Sequence, residues 1–313
     1  MTEFQRIRAI ERALRHRARG LGDDCAVLPP VDGSIVVSTD ASVEDVHFRR
    51  DWITLRETGW RAAAAALSDL AAAGAEPIGL LAAVVMPRAA GESDVVELML
   101  GVADAGETVG APVIGGDLSA GDKCVVTVTV IGNSERPIGR AGARAGDGIW
   151  VTGGLGGSRA AVEAWLRQAE PEAAARRAFA APVPRIAAGR WLAAHGARAM
   201  LDLSDGLGGD AEHLAAASGV RIELDLELIP VAPEVAEEAR RLEVSAEQFA
   251  AEGGEDYELL VALPPEFEDV DVAAFEVATR LPLTRVGRAV EGAGVHCTLA
   301  GRPVPLRGYD HFR

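Results

Sequence analysis

Residues 200–207 read Met-Leu-Asp-Leu-Ser-Asp-Gly-Leu and join two different kinds of secondary structure. The apolar run at 200–203 predicts a short buried strand, and the apolar spacing through 207–218 predicts a helix. The residues between them, Ser-Asp-Gly, are typical of a turn. The stretch therefore places two carboxylates, Asp202 and Asp205, where a strand ends and a helix begins.

Outward from this stretch, strands and helices follow one another without a regular order. Upstream, the sequence predicts strands at 34–38, 78–86, 124–132 and 148–152, and helices at 2–17, 55–74, 92–110, from 158, 172–179 and 185–194. Downstream, it predicts strands at 220–226, 257–263, 283–289 and 295–300. Because these elements do not alternate as βαβα, the sequence favours an α+β fold, with mixed or antiparallel sheets packed with helices, over a doubly wound sheet.

A change in composition divides the chain into two predicted domains. Residues 133–146 contain Pro137, three glycines and three arginines, and they lack apolar periodicity. Such a segment is typical of a domain boundary. We therefore expect domains at 1–137 and 138–313.

Composition excludes several classes of partner. The 313 residues carry a formal net charge of −16, which argues against binding to nucleic acid or to an anionic membrane. No apolar run reaches the ~18 residues of a membrane span, and residues 1–19 lack the apolar core of a secretory signal, so we expect a cytoplasmic protein. The single lysine, Lys123, follows no P-loop pattern, so a nucleotide is expected to bind in another way.

The three cysteines, Cys25, Cys124 and Cys297, are widely spaced. An odd, sparse set predicts neither a disulfide framework nor a zinc site. Cys25 follows Asp24 and has the alternative interpretation of a reactive thiol, but free cysteines are usually small buried side chains.

The placement of the aspartates is the most informative feature. Glu234, Glu237 and Glu238 represent the usual acidic residues of solvated helix faces. A second set stands inside apolar elements or at their ends, and it comprises Asp23, Asp24, Asp40, Asp69, Asp117, Asp202 and Asp205. Because a buried carboxylate without a partner is costly and basic residues are not nearby in sequence, Mg²⁺ is the expected counter-charge.

Most of these aspartates also have an ordinary structural interpretation. Asp205 is a candidate helix N-cap and Asp117 a candidate turn residue. Asp69 differs, because the interior of a helix rich in alanine and leucine gives an aspartate no capping role. Taken together, the set favours a metal site over a series of separate caps.

Glycine-rich turns adjoin the acidic residues at 115–116, 153–157, 206–209 and 253–254. Such turns let backbone N–H groups approach phosphate oxygens, although an ordinary turn explains any one of them equally well. Metal ligands and phosphate-binding turns together suit phosphoryl transfer, whose transition state needs positioning and charge neutralisation.

Seven motifs, in order along the chain, resemble the thiamine-monophosphate kinase family. They are Gly22-Asp23-Asp24-Cys25-Ala26, Ser38-Thr39-Asp40 with Val46-His47-Phe48, Leu67-Ser68-Asp69-Leu70-Ala71, Gly115-Gly116-Asp117, the 202–207 motif, Gly253-Gly254-Glu255-Asp256-Tyr257-Glu258-Leu259 and Gly308-Tyr309-Asp310-His311-Phe312. The first few are shared with the superfamily of aminoimidazole ribonucleotide synthetase and selenophosphate synthetase. His47 and the last two motifs are more specific to the kinases.

The resemblance implies a two-domain fold like that of aminoimidazole ribonucleotide synthetase and a homodimer whose N-terminal domains pack sheet to sheet. It implies direct, in-line transfer of the γ-phosphoryl group of ATP to thiamine phosphate, and this acceptor needs no general base. The implied site residues are Asp24, Ser38, Thr39, Asp40, Asp69, Asp117, Asp202 and Asp205 for Mg²⁺, Gly116, Asp117, Arg140 and Ser204 for ATP, and His47, Glu255 and Tyr309 for thiamine phosphate. Asp24, Asp40, Asp69, Asp117 and Asp202 would act in catalysis through Mg²⁺, and a need for K⁺ stays open.

The chain departs from the family pattern after Asp117, where Leu118-Ser119-Ala120-Gly121 replace the usual Thr-Thr-Arg-Gly. This change bears on nucleotide binding more than on the reaction. One alternative is another ATP-dependent member of the superfamily, which would want a catalytic Cys or Lys in the N-terminal segment. The other is a non-catalytic nucleotide- or metal-binding relative, which only the altered loop supports.

Overall fold

The computed structural model describes residues 3–18, 28, 30–306 and 308, and the chain divides into two compact units. The first comprises residues 1–70, 75–135 and 180–184, and the second comprises 71–74, 136–179 and 185–313. The main change of unit follows Glu135, close to the boundary expected between residues 137 and 138. Because two short pieces group with the other unit, the observed division has more segments than a single cut.

The first unit contains a four-stranded sheet and three α-helices among its described residues. In chain order they are α1 (Glu3–Leu14), β1 (Ser34–Val43), α2 (Leu55–Ala72), β2 (Glu76–Pro87), α3 (Glu92–Thr108), β3 (Val113–Gly121) and β4 (Val125–Ser134). The strand order is β1-β4-β2-β3, in which β2 and β3 are parallel and the other pairs are antiparallel.

One face of this sheet carries the apolar core of the first unit. In β4, Val126, Val128 and Val130 are fully buried and alternate with partly exposed residues, as period-2 strand geometry requires. Leu70 of α2 packs on this face, since a Cβ added at Gly132 would lie 3.2 Å from its side chain. We call this side the inner face and the opposite side the outer face.

Helices α2 and α3 cross in close contact at two glycines. A Cβ added at Gly59 would lie 1.9 Å from the carbonyl oxygen of Leu98, and one added at Gly101 would lie 1.8 Å from that of Arg56. The contact is reciprocal, so the missing side chains set the distance between the helices. This crossing holds α2, and with it Asp69, against the rest of the unit.

The second unit contains a seven-stranded sheet and seven α-helices among its described residues. In chain order they are β5 (Gly148–Thr152), α4 (Gly157–Leu166), α5 (Ala173–Ala180), α6 (Ile186–Ala194), β6 (Ala199–Asp202), α7 (Leu207–Ser218), β7 (Arg221–Asp225), α8 (Val235–Arg241), α9 (Ala246–Ala251), β8 (Leu259–Leu263), α10 (Asp269–Thr279), β9 (Leu283–Val290), β10 (Gly294–Leu299) and β11 (Arg302–Pro303). The strand order is β11-β10-β7-β9-β5-β8-β6, with only the β7–β10 pair parallel. Every residue of β5 and β8 is buried, so the centre of this sheet is covered on both faces. No described helix of either unit is long and apolar enough to cross a bilayer.

The predicted α+β class with mixed sheets is confirmed, but one strand is longer than expected and another was not expected. The strand predicted at 34–38 continues to Val43, because the whole of β1 pairs with β4. The Gly-Gly-Asp segment at 115–117 lies within β3 instead of in a turn, because it pairs with β2. Conversely, no helix was expected at α10, whose one buried residue is Phe275, so it shows no apolar stripe.

Glu238 also differs from its interpretation as a solvated residue. It is only 8% exposed, and its carboxylate accepts a hydrogen bond from the guanidinium of Arg167. Glu237 is exposed as expected and pairs with Arg241 one helical turn later. The spacing of charges along α8 did not show that one of them turns inward.

We expect Gly101→Ala to destabilise the first unit strongly. The added methyl group meets a main-chain carbonyl that cannot rotate away, so the helices must separate, at a cost of about 3 kcal/mol. The matched control is Gly139→Ala, since no heavy atom lies within 4 Å of a Cβ at Gly139. Thermal unfolding followed by circular dichroism measures both, and an unchanged melting temperature for Gly101→Ala would contradict the crossing.

Candidate active site

Three of the predicted ligands meet on the inner face of the first unit. Ser38 and Asp40 alternate along β1 on that face, since they pair with the buried Val130 and Val128 of β4. Asp69 projects from α2 and accepts a 2.5 Å hydrogen bond from the hydroxyl of Ser38. Asp40 therefore stands within the strand, and not where the strand ends.

The burial of Asp40 and the charge of Asp69 both favour the protonated form of Asp40. Burial first, and the neighbouring carboxylate of Asp69 second, raise the pKa of Asp40 to about 6. Two carboxylates in such surroundings resist double ionisation unless a cation accompanies them. With the Ser38 hydroxyl they form an all-oxygen donor set, which fits the preference of Mg²⁺.

Thr39 and Asp117 lie on the outer face of the same sheet. The hydroxyl of Thr39 is 3.0 Å from that of Thr129, whose strand neighbours point inward. Asp117 pairs with Ala83, an outer-face residue of β2, and accepts a 3.0 Å hydrogen bond from Ser119. Both side chains are thus on the opposite side of the sheet from Asp40, and their roles stay predictions.

His47 follows β1 in a loop that is tied to β4. Its Nδ1 accepts a 3.1 Å hydrogen bond from the main-chain N–H of Val43, so the neutral ring carries its proton on Nε2. The carboxylate of Glu44 accepts a 2.8 Å hydrogen bond from the N–H of Cys124. These contacts fix both the position of the ring and its tautomer.

A second group of carboxylates surrounds the turn between β6 and α7. Asp202 ends β6 and is 6% exposed, and Asp205 stands in the turn. Asp210, which no sequence motif marked as a site residue, accepts 3.1 Å hydrogen bonds from the N–H groups of Ser204 and Asp205. Burial, then Asp202, then Asp205 raise the pKa of Asp210 to about 8.

The geometry of this turn decides between two interpretations of Asp205. The N-cap of α7 is Gly206, and no side chain caps it. Asp210 instead reaches back from the first helical turn to the N–H groups of the preceding residues. Asp205 therefore does not act as the helix cap, which leaves its carboxylate to another role.

The segment 253–258 lies against the same turn. The N–H of Glu255 donates to the carbonyl of Ser204 at 2.8 Å, and a Cβ on Gly254 would lie 2.6 Å from that oxygen. Glu255 and Tyr257 have φ values of +61° and +52°, a left-handed conformation that costs about 1–2 kcal/mol per residue. This alternation also explains why β8 begins at Leu259 and not at the predicted residue 257.

The glycine loop at 153–157 has a different role from the predicted phosphate cradle. The N–H of Gly156 donates to the carboxylate of Asp256 at 2.8 Å, and that of Leu155 donates to the carbonyl of Pro230 at 2.7 Å. The N–H of Gly153 donates to Pro282. These three N–H groups are engaged within the second unit, which favours the alternative of an ordinary turn for this loop.

Two predicted ATP contacts have identifiable structural supports. A Cβ on Gly116 would lie 2.0 Å from the carbonyl oxygen of Ala82, so close packing of β3 on β2 already requires a glycine there. The main chain around Arg140 is tied to α7, because the Ser218 hydroxyl donates to the Arg140 carbonyl and accepts from the N–H of Gly142. Strand packing is therefore sufficient to explain why residue 116 is a glycine, whether or not it contacts ATP.

Two of the expected site residues, Asp24 and Tyr309, lie outside the described residues. Among residues 3–18, 28, 30–306 and 308, no three His, Cys, Asp or Glu side chains are gathered as ligands of one ion. The structure brings together Ser38, Asp40 and Asp69 in one unit. In the other it brings together the 202–205 turn and Glu255.

Comparisons with known proteins cover nearly the whole chain. The family models "AIR synthase related protein, N-terminal domain" and "AIR synthase related protein, C-terminal domain" match residues 22–133 and 144–299. The thiamine-monophosphate kinase of Aquifex aeolicus (strain VF5) is 34% identical over 99% of this chain and 98% of its own length.

Solved structures agree with this result. The thiamine-monophosphate kinase from Stenotrophomonas maltophilia K279a has a TM-score of 0.85 and 31% identity, and the match covers 95% of this chain and 97% of that chain. AaThiL complexed with AMPPCP and TMP has a TM-score of 0.80 and 34% identity, with 99% and 97% covered.

The described thiols should react slowly in the native protein. Burial first, and a nearby glutamate second, raise the pKa of Cys124 and of Cys297 to about 11. At pH 8 both therefore stay protonated, and only the thiolate is a good nucleophile. Iodoacetamide labelling followed by peptide mass spectrometry should show protection that guanidinium chloride removes, whereas rapid native labelling of either cysteine would contradict the burial.

Proposed function

Because this chain belongs to the thiamine-monophosphate kinase family, we propose that it transfers the γ-phosphoryl group of ATP to thiamine phosphate, which yields thiamine diphosphate. The observation that carries the proposal is the Asp40–Asp69 pair, held on the inner face of the sheet beside Ser38. A purely structural role does not explain Asp40, a buried carboxylate whose pKa the neighbouring Asp69 raises further. The names of the similar proteins give the substrates.

The acidic residues on each unit would hold Mg²⁺. Asp40, Asp69 and Ser38 offer oxygen donors on the first unit, and Asp202 and Asp205 offer them on the second. Asp24, Thr39 and Asp117 stay candidates from the family resemblance, but Thr39 and Asp117 face outward and would not share an ion with Asp40. Bound Mg²⁺ supplies neutralisation of the charge on the phosphate oxygens.

The side chains themselves position and select the reactants. The Nε2–H of His47 is a donor that suits a phosphate oxygen of the acceptor, and the fixed tautomer keeps it so. Glu255 offers a carboxylate to the cationic thiazolium, and Tyr309 offers an aromatic ring to it. Arg140, Ser204, Gly116 and Asp117 are the candidate contacts of ATP.

The acceptor oxygen belongs to a phosphate anion, so no residue has to remove a proton from it. The described cysteines are buried thiols, which leaves them unsuited to form a covalent intermediate. Direct in-line attack on the γ-phosphorus is therefore the proposed route.

The outer face of the first sheet supports the proposed homodimer. Ile35 and Val37 are 48% and 59% exposed on β1, and the adjoining Ile131, Leu81 and Val85 are only partly buried. Val37 lies opposite Ile131, and the other residues share the same face, so the outer face carries an apolar patch that Thr39 and Thr129 interrupt. Apolar sheet faces are normally covered. A second copy of the same sheet would cover it.

Asp69→Asn should abolish most of the turnover without unfolding the protein. Asparagine has nearly the same shape and still accepts the Ser38 hydrogen bond, but it brings no negative charge, so we expect a rate loss of at least about 100-fold. The control is Asp51→Asn, which removes an exposed charge and should stay within about twofold. The measurement is thiamine-phosphate-dependent ADP release, together with a melting curve.

Two outcomes of that assay would contradict different statements. Near-normal turnover by Asp69→Asn would remove Asp69 from the mechanism. ADP release by the wild type that does not depend on thiamine phosphate would refute the proposed acceptor, and a wild type without turnover would favour a non-catalytic relative.

Val37→Glu should convert the dimer to a monomer. A charge in the middle of the outer face cannot be buried against a second sheet without a large desolvation cost. Val277→Glu on α10 is the matched control, because Val277 is 84% exposed and lies in the second unit. Light scattering coupled to size exclusion gives the masses against the 32.6 kDa of one chain, and a monomeric wild type would refute the dimer.

A further inference from the structure

The segment 253–258 holds a conformation that it would not keep by itself. Glu255 and Tyr257 are both left-handed, and Asp256 lies between them. Isolated non-glycine residues rarely stay in this region, so two so close together require restraint from the surrounding structure. The restraint has to come from contacts that this segment makes elsewhere in the second unit.

Main-chain hydrogen bonds hold the segment against residues 203–204. The N–H of Tyr257 donates to the carbonyl of Leu203 at 2.9 Å, and the N–H of Leu203 donates back to the carbonyl of Glu258 at 2.8 Å. Together with the bond from Glu255 to Ser204, they attach the segment to the acidic turn. They fix the backbone against the acidic turn, but they do not attach the segment to the start of α4.

Asp256 attaches the segment to the start of α4. Its carboxylate accepts the N–H of Gly156, at the start of α4, and the main-chain N–H of Ser158 also bonds to it. A carboxylate at the N-terminus of a ten-residue helix is favoured by the helix dipole as well. The side chain thus joins the strained segment to a rigid helix.

Glu258, the residue directly before β8, forms a second anchor. It is 3% exposed, and it accepts hydrogen bonds from Arg185 Nε at 2.9 Å and from the Thr152 hydroxyl at 2.7 Å. The same hydroxyl accepts the N–H of Leu259 at 2.8 Å. Thr152 therefore links the start of β8 to β5 and immobilises the end of the segment.

We propose that Asp256 and the Thr152–Glu258 pair are positioning residues, which hold Glu255 beside Ser204 and Asp205 in the orientation that receives the acceptor. The inference rests on the proposed function, because it requires that Glu255 contacts thiamine phosphate. Neither anchor is among the residues proposed to contact ATP or thiamine phosphate. Each acts through the backbone of Glu255, so its loss should weaken binding of the acceptor and leave binding of ATP unchanged.

The test compares Asp256→Ala with Asp256→Asn in the full chain. Alanine leaves the N–H of Gly156 without its acceptor, so we expect the KM for thiamine phosphate to rise about tenfold while the KM for Mg-ATP stays within twofold. Asparagine keeps one acceptor oxygen, and its KM values should stay within about threefold of the wild type. A purely structural role would lower the melting temperature in Asp256→Ala with both KM values unchanged, and that result would overturn the inference.

Thr152→Val and Thr152→Ser give an independent pair in case Asp256→Ala does not fold. Valine has the same shape without the hydroxyl, so we expect the same selective rise in the KM for thiamine phosphate, and serine should restore it. A rise in both KM values, or none in either, would overturn the inference.

Wild-type kinetics separate failure of the inference from failure of the proposed function. A wild type without thiamine-phosphate-dependent ADP release would overturn both statements. A wild type that turns over, with variants whose acceptor KM is unchanged, would overturn only the positioning role.

Discussion

The structure depends on carboxylates that are held close together where solvation is poor. Asp69 favours protonation of Asp40, and Asp202 and Asp205 do the same to Asp210. Such groups would separate if they were free to move, because like charges repel strongly when water screens them little. Strand pairing and main-chain hydrogen bonds prevent this separation. Each cluster is therefore stabilised when a proton or a cation joins it, and this is the physical basis of the proposed Mg²⁺ sites.

The sequence was sufficient for the fold class and for most elements, because strand and helix periodicities are local properties. It was not sufficient for the face on which a side chain lies. Thr39 and Asp40 are neighbours, yet one points outward and the other inward, and the predicted strand ended before both. Asp117 was a candidate turn residue, although strand pairing places it within β3. The face on which a strand residue lies depends on how its strand pairs with a strand distant in sequence. A local sequence pattern does not show this pairing.

The glycine loop at 153–157 illustrates a second reason for the limit. Its composition is typical of a phosphate-binding turn, but the acceptors of its N–H groups belong to the protein itself. The N–H of Gly156 binds the side chain of Asp256, which lies 100 residues away in sequence, and those of Gly153 and Leu155 bind main-chain carbonyls. A pattern of donors does not show where their acceptors come from. Only the folded chain shows whether the acceptor is a ligand or another residue of the protein.

The buried ion pairs help to explain how an enzyme with a net charge of −16 can act on phosphorylated substrates. Several arginines are already committed, since Arg185 neutralises the buried Glu258 and Arg198 neutralises the fully buried Asp147. An arginine that left its partner would strand a buried carboxylate, at a cost of several kcal/mol. Such arginines are therefore poor candidates for binding phosphate, and diffusible cations are the better source of positive charge. A cation site needs acidic ligands, and the bound cation would in turn attract the phosphate groups. An excess of aspartate at the proposed site is therefore compatible with binding anionic substrates there.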